Sequence, residues 1–145
     1  LAVHLGRIQP ETAMLTGLVH NIGIFYLLFR AAEYPEYRNN EPAMIELLAG
    51  WHEGIGESLL HILGLPAAIT DAVRDQSHLS PVETPSTISD VLYFAIALAG
   101  NGLPWQSSTQ DAEEVARREA DCMRYADLLK TAEDDIIELR AALSA

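Results

Sequence analysis

The run from Ala13 to Phe29, AMLTGLVHNIGIFYLLF, constrains the chain most, because it is the most apolar stretch and yet carries Thr16, His20 and Asn21. Central polar groups are costly in lipid, and the uninterrupted part, Ile22 to Phe29, is far too short to span roughly 30 Å of hydrocarbon. The segment therefore reads as a buried helix rather than a membrane span. Met14, Leu18, Ile22, Phe25 and Phe29 follow helical spacing, while Leu15, Val19, Ile24 and Leu27 leave no broad polar face. Such a helix belongs in the centre of a bundle. Gln9-Pro10-Glu11-Thr12 opens it, since proline is tolerated in a first turn and glutamate favours the positive end of the helix dipole.

Breaker residues divide the rest into segments that mostly read as helices, with no internal repeat. The stretch from Pro35 to Pro42, with Asn39-Asn40 inside it, reads as a polar turn region. A short helix from Glu41 to Ala49 leads to Gly50, and a second runs from Trp51 to Leu63. Gly64-Leu65-Pro66 is a stop-and-restart signal, because glycine accepts the left-handed cap and proline pre-sets the next first turn. Helices from Pro66 to about Gln76 and from Thr87 to Ala99 follow. Ile88, Val91, Leu92, Ala95 and Leu98 give the latter its apolar period. Beyond Thr109 the composition shifts to short charged helices, the last capped by Thr131. Strand signals are absent, so the expected fold class is all-α: a core over 1–105 with a helical extension over 106–145 packed on it.

The chain has 145 residues, enough for one domain and too few for two full-sized ones. Nine Lys plus Arg against twenty-one Asp plus Glu leave a formal charge of −12. That charge repels phosphate backbones and anionic lipid head groups, so neither nucleic acid nor membrane is an expected partner. The one cysteine, Cys122, closes no internal disulfide, and no Cys/His zinc spacing exists. A reducing compartment fits.

Five histidines, His4, His20, His52, His61 and His78, are the only concentrated catalytic vocabulary. His20 and Asn21 in an apolar helix need polar partners, and satisfaction by backbone or neighbouring side chains is the ordinary outcome. His52, Gly56 and Leu60 lie on one stripe at i, i+4, i+8, so Gly56 would let another helix come close beneath a partly exposed His52. His61 falls off that stripe and reads as a surface or boundary residue; His78 sits in a loop. Glu53 and Glu57 read as an exposed acidic face. Trp51 and Trp105 are able to anchor an interface, although core or boundary packing is the commoner use of a tryptophan. Cys122 has acidic neighbours that oppose thiolate formation.

Three segments in order carry a resemblance. Ala13-Met14-Leu15-Thr16-Gly17-Leu18-Val19-His20-Asn21-Ile22-Gly23 resembles the "aGLLHDiG" helix of the HD superfamily, especially its HDOD branch. His52-x-x-x-Gly56-x-x-Leu59-Leu60, then Leu65-Pro66-x-x-Ile69-x-x-Ala72-Val73, is similar to the HDOD pattern "H-x-x-x-G-x-x-L-L…LP-x-x-I-x-x-A-I". Ile88 to Ala99 resembles a third HDOD helix. The likeness covers about Ile8 to Leu103 and implies an HD-like multi-helix bundle. The upstream helices of such a domain are missing from the sequence, and its opening Leu-Ala-Val-His-Leu-Gly looks like the end of an amphipathic helix, so the expectation is an N-terminally truncated domain.

Catalytic HD phosphohydrolases use histidines and aspartates to hold divalent metal that activates water. Where the resemblance places the family aspartate, this chain has Asn21, a poor ligand for a hard cation. The expected His-His pair falls on Gln76-Ser77, with His78 one place late, and the late metal aspartate falls on Ile96. Asp90 lies nearly two turns earlier. His20 and His52 alone remain, so His20, Asn21 and His52 read as a vestigial site with no catalytic residue, metal or cofactor. The resemblance then implies a bacterial, cytoplasmic, non-catalytic regulatory module for signal transduction. Its partners would be a protein segment, an adjoining signalling domain, or a second copy in a homodimer, with Trp51, Gly56 and Trp105 as interaction candidates. The rival is a divergent metal-dependent phosphohydrolase acting on phosphoesters or cyclic dinucleotides, with Asp90 or Glu53 recruited as ligands. A small-molecule sensor using the same pocket is a third reading.

Overall fold

A computed structural model of the chain describes residues 2, 8–77, 85–99, 116, 119–120, 123–128, 137 and 141–142. Among these residues the fold is all-α, with no strand. Six helices follow in order: α1 (Pro10–Val19), α2 (Ile22–Ala31), α3 (Pro35–Arg38), α4 (Glu41–Ile62), α5 (Ala67–Arg74) and α6 (Ile88–Ala99). Helix α2 lies along α4, α4 along α5, α5 along α6, and α6 returns onto α1.

Two apolar clusters hold this arrangement. Ile24 and Leu27 of α2 meet Leu48 of α4, with Met44, Leu47 and Ile55 around them. Leu60 of α4 meets Ile69 and Val73 of α5, flanked by Val19, Ile22 and Leu65. Phe94 of α6 is fully buried and presents its ring edge-to-face with Tyr93 and with Tyr125.

The apolar run from Ala13 to Phe29 is not one helix. It breaks at His20-Asn21, where the Asn21 carbonyl accepts from both Ile24 and Phe25 N–H and starts a new turn. Nor does it sit at the centre of the bundle. Thr16, Gly23, Ile24, Leu27 and Ala31 face inward and are buried, whereas Met14, Leu18, Phe25 and Phe29 are exposed.

Three further expectations are corrected. Gly50 does not end a helix: α4 runs through Gly50, Gly54 and Gly56 for 22 residues. Gly50 and Gly54 each cost about 1 kcal/mol relative to alanine, and the burial of Leu48, His52 and Leu60 on the same helix offsets that. The region read as a polar turn contains the short helix α3. Glu53 and Glu57 are not a freely solvated face, since Glu53 accepts from the Ser77 N–H at 2.9 Å and Glu57 pairs with Arg74 at 3.2 Å.

The stop signal after α4 behaves as the sequence predicts. Gly64 takes φ +75°, the Leu65 N–H reaches the Leu60 carbonyl and the Gly64 N–H the His61 carbonyl, both at 3.0 Å. This is a Schellman closure. Helix α6 begins with a capping box. The Asp90 N–H donates to Thr87 Oγ1 at 3.1 Å, and the Asp90 carboxylate accepts from the Thr87 and Ser86 N–H groups at 2.8 and 2.9 Å.

Candidate functional site

The two glycines bring the candidate residues together. A Cβ added to Gly23 would lie 2.0 Å from the His52 carbonyl oxygen and 2.8 Å from the Gly56 nitrogen. One added to Gly56 would lie 3.1 Å from Val73 Cγ1 and 3.6 Å from the Gly23 nitrogen. Helices α2 and α4 thus touch backbone to backbone directly under His52, with α5 closing the third side. The close approach expected at Gly56 is present, and its counterpart is Gly23.

His52 is buried, not partly exposed, and its Nδ1 donates to the Leu48 carbonyl at 2.8 Å. That bond requires a proton on Nδ1, since a carbonyl oxygen only accepts. His20 ends α1 and is half-buried, with Nδ1 donating to the Gly17 carbonyl. The carbonyl of His20 in turn accepts from the amide of Gln76, a buried residue just past α5, at 3.4 Å. The next residue, Ser77, donates its N–H to Glu53 of α4. The hinge at His20-Asn21, the middle of α4 and the end of α5 therefore meet in one polar seam.

Neutral groups dominate that seam. Asn21 and Gln76 are amides, and each imidazole has one nitrogen committed to a main-chain carbonyl. The acidic groups nearby are engaged as well. Arg74 gathers Glu57, Asp71 and Asp75 at 3.2, 2.9 and 2.8 Å. Its guanidinium is held well above its ordinary range, chiefly by the hydrogen bond to Asp75. Asp90, a potential extra ligand in the rival reading, is buried and spends its carboxylate on the α6 cap. Among the described residues, no group of three or more His, Cys, Asp or Glu side chains could hold a metal ion.

His61 is exposed, as the sequence reading has it. Trp51 is 64% exposed rather than packed in the core or its boundary. His4, His78, Trp105 and Cys122 lie outside the described residues. A shallow cavity of about 520 Å³ lies between Leu28, Tyr37, Arg38, Met44, Ile45 and Leu48. The Arg38 guanidinium beside it is turned onto the Ala32 carbonyl at 2.9 Å.

Sequence reasoning missed two parts of the seam. Gln76 looked like a lost ligand, and its buried amide instead ties α5 to the hinge. Gly23 stood inside the resemblance without a role; a glycine flanked by Ile22 and Ile24 in a helical run is the signal that a backbone passes close by.

No family model, curated protein or solved structure matches the chain.

Proposed function

We propose that the chain is a non-catalytic regulatory interaction module of HDOD type, acting in signal transduction in the bacterial cytoplasm through a protein partner or an adjoining signalling domain. One observation carries this reading: the polar side chains of the seam are spent on the scaffold. His52 bonds the Leu48 carbonyl, Glu53 the Ser77 N–H, and Gln76 the His20 carbonyl. A phosphohydrolase centre needs several anionic oxygen donors free to converge on a hard cation. Here the hinge contributes Asn21 in place of a carboxylate, and the nearby acids already serve N–H donors or Arg74. Such a seam fixes the relative position of α1, α2, α4 and α5, which suits a rigid recognition body.

The test is metal content and hydrolysis. The purified chain, exposed to Mn²⁺, Fe²⁺ or Zn²⁺ and desalted, is expected to retain none stoichiometrically and to leave phosphoesters and cyclic dinucleotides intact. Stoichiometric metal that is lost in His20→Ala or His52→Ala, together with hydrolysis, would establish the phosphohydrolase and remove this proposal. A receiver or diguanylate cyclase domain in the natural reading frame would add direct support for the signalling role.

A further inference from the structure

Helices α1 and α2 carry two apolar stripes on opposite sides. The backbone at His20, φ −58° and ψ −29°, and at Asn21, φ −96° and ψ 11°, stays close enough to helical to carry the phase across the hinge. At about 100° per residue, Thr16, Gly23, Leu27 and Ala31 project into the bundle, while Met14, Leu18, Phe25 and Phe29 cluster within about 40° of the opposite direction. Those four are 67%, 69%, 67% and 70% exposed.

We infer that this outer stripe is the contact face of a symmetric homodimer, in which a second copy of the chain lies antiparallel along α1 and α2. Area is the first argument. With large side chains presenting about 150–250 Å² each, the four expose on the order of 600 Å², the upper end of what the largest patch on a monomer reaches. Doubled in a symmetric pair, that is about 1,200 Å², where stable interfaces begin. Leu15, Tyr26 and Leu28, each near two-fifths exposed, stand beside the stripe.

Charge is the second argument. No Asp, Glu, Lys or Arg occurs from Thr12 to Phe29, in a chain of net charge −12. Two copies repel each other over most orientations, and this is a face on which they meet without opposing charges. The stripe ends in Glu11 on one side and in the exposed Arg30–Glu33 pair on the other. Parallel pairing would set two Glu11 carboxylates side by side; antiparallel pairing separates them by the length of the stripe and sets each at the partner's Arg30–Glu33 ion pair, whose net charge is zero.

Spacing is the third argument. A twofold contact requires that if residue i meets j, then j meets i. The positions of the stripe are spaced alike in both directions about the bond between Asn21 and Ile22: Met14 and Leu18 on one side, Phe25 and Phe29 on the other. Antiparallel packing places Met14 against the partner's Phe29 and Leu18 against the partner's Phe25, with the axis passing near Asn21 and Ile22. This pairing does not depend on whether the histidine seam is catalytic.

Sedimentation equilibrium on the whole chain tests it. Wild type is expected at twice 15.9 kDa, and Leu18→Glu and Phe25→Glu at the single mass with unchanged helical circular dichroism. Ile62→Glu, at an exposed site on α4, should stay dimeric. In a Cys122→Ser background, Leu18→Cys with Phe25→Cys should form disulfide-linked dimers. The two positions, one on α1 and one on α2, are about 10 Å apart at about 1.5 Å rise per residue, too far to bridge within a chain. A monomeric wild type, or dimers that survive both glutamate variants, would overturn the inference. Pro10–Ala31 is also long and apolar enough by composition to cross a membrane. A monomer that floats with neutral phosphatidylcholine vesicles, and no longer does so as Phe25→Glu, would therefore overturn it in favour of a lipid surface.

Discussion

Gly23→Ala puts the packing argument to its sharpest test. The new Cβ would stand 2.0 Å from the His52 carbonyl oxygen, and ordinary contact begins at 3.4 Å, so α2 and α4 must separate by about 1.4 Å at their closest point. The obstacle is backbone on a 22-residue helix, so no rotamer change relieves it. A gap of even 0.5–1 Å forfeits a quarter to a half of a dispersion contact. The contacts at stake are those of Ile24, Leu27 and Leu48, each worth about 1.5–3 kcal/mol when fully buried. That loss comes to about 3–4 kcal/mol, and the better helix propensity of alanine returns about 1 kcal/mol. The net expectation is a destabilisation of about 2–3 kcal/mol, or a Tm lower by roughly 4–12 °C at about 2–4 °C per kcal/mol. Gly54→Ala is the internal control: nothing lies within 4 Å of its added Cβ, so it should stabilise the chain by about 0.5–1 kcal/mol through helix propensity. Urea unfolding of both variants alongside wild type reads the two signs. A Gly23→Ala chain as stable as wild type would refute the close approach, and with it the geometry of the seam.

Two other perturbations follow from the same structure. Asp90→Ala removes the carboxylate that accepts from the Ser86 and Thr87 N–H groups. It should cost about 1–3 kcal/mol, as for stranded donors at a buried cap, measured by urea titration; no change would mean the cap is dispensable. Arg74→Met removes three exposed ion pairs. The raised guanidinium pKa means the proton is held more tightly in the folded chain, so its contribution is present below the unfolded value and is lost only in strong alkali. At neutral pH the variant should therefore melt slightly below wild type in low salt. The difference should vanish in concentrated NaCl, because exposed pairs are screened, and a salt-independent gap in a thermal melt would show that something other than charge was lost.

Much of the fold is legible in the sequence because its punctuation is chemical. Gly64-Leu65-Pro66 specifies a left-handed cap and a restart, and both are present. Thr87 and Asp90 stand at capping-box spacing, and α6 starts there. Gly50 misled because a glycine ends a helix only when it takes positive φ or when the chain beyond has no face to bury. The residues after Gly50 do have one, in His52, Gly56 and Leu60. The seam was partly legible: Gly56 announced a close approach. The engagement of Glu53 and Gln76 depends instead on a partner 24 and 56 residues away in sequence, which no local spacing encodes.

The run from Ala13 to Phe29 shows a deeper limit. Periodicity tells which residues share a stripe, and burial is then assigned to the apolar stripe because its opposite is polar. Here both stripes are apolar, so the pattern is symmetric under a half-turn of the helix and holds no information about which side faces the core. The deciding residue on this run is Gly23, which lets the α4 backbone approach at His52 and Gly56, and it lies on the side of Thr16 and Leu27. A side chain at that position would exclude α4, and the stripe of Met14, Leu18, Phe25 and Phe29 would then compete for the interior on equal terms. The absence of a Cβ at Gly23 therefore favours the inward face and leaves the other as an apolar surface, the property on which the proposed dimer rests.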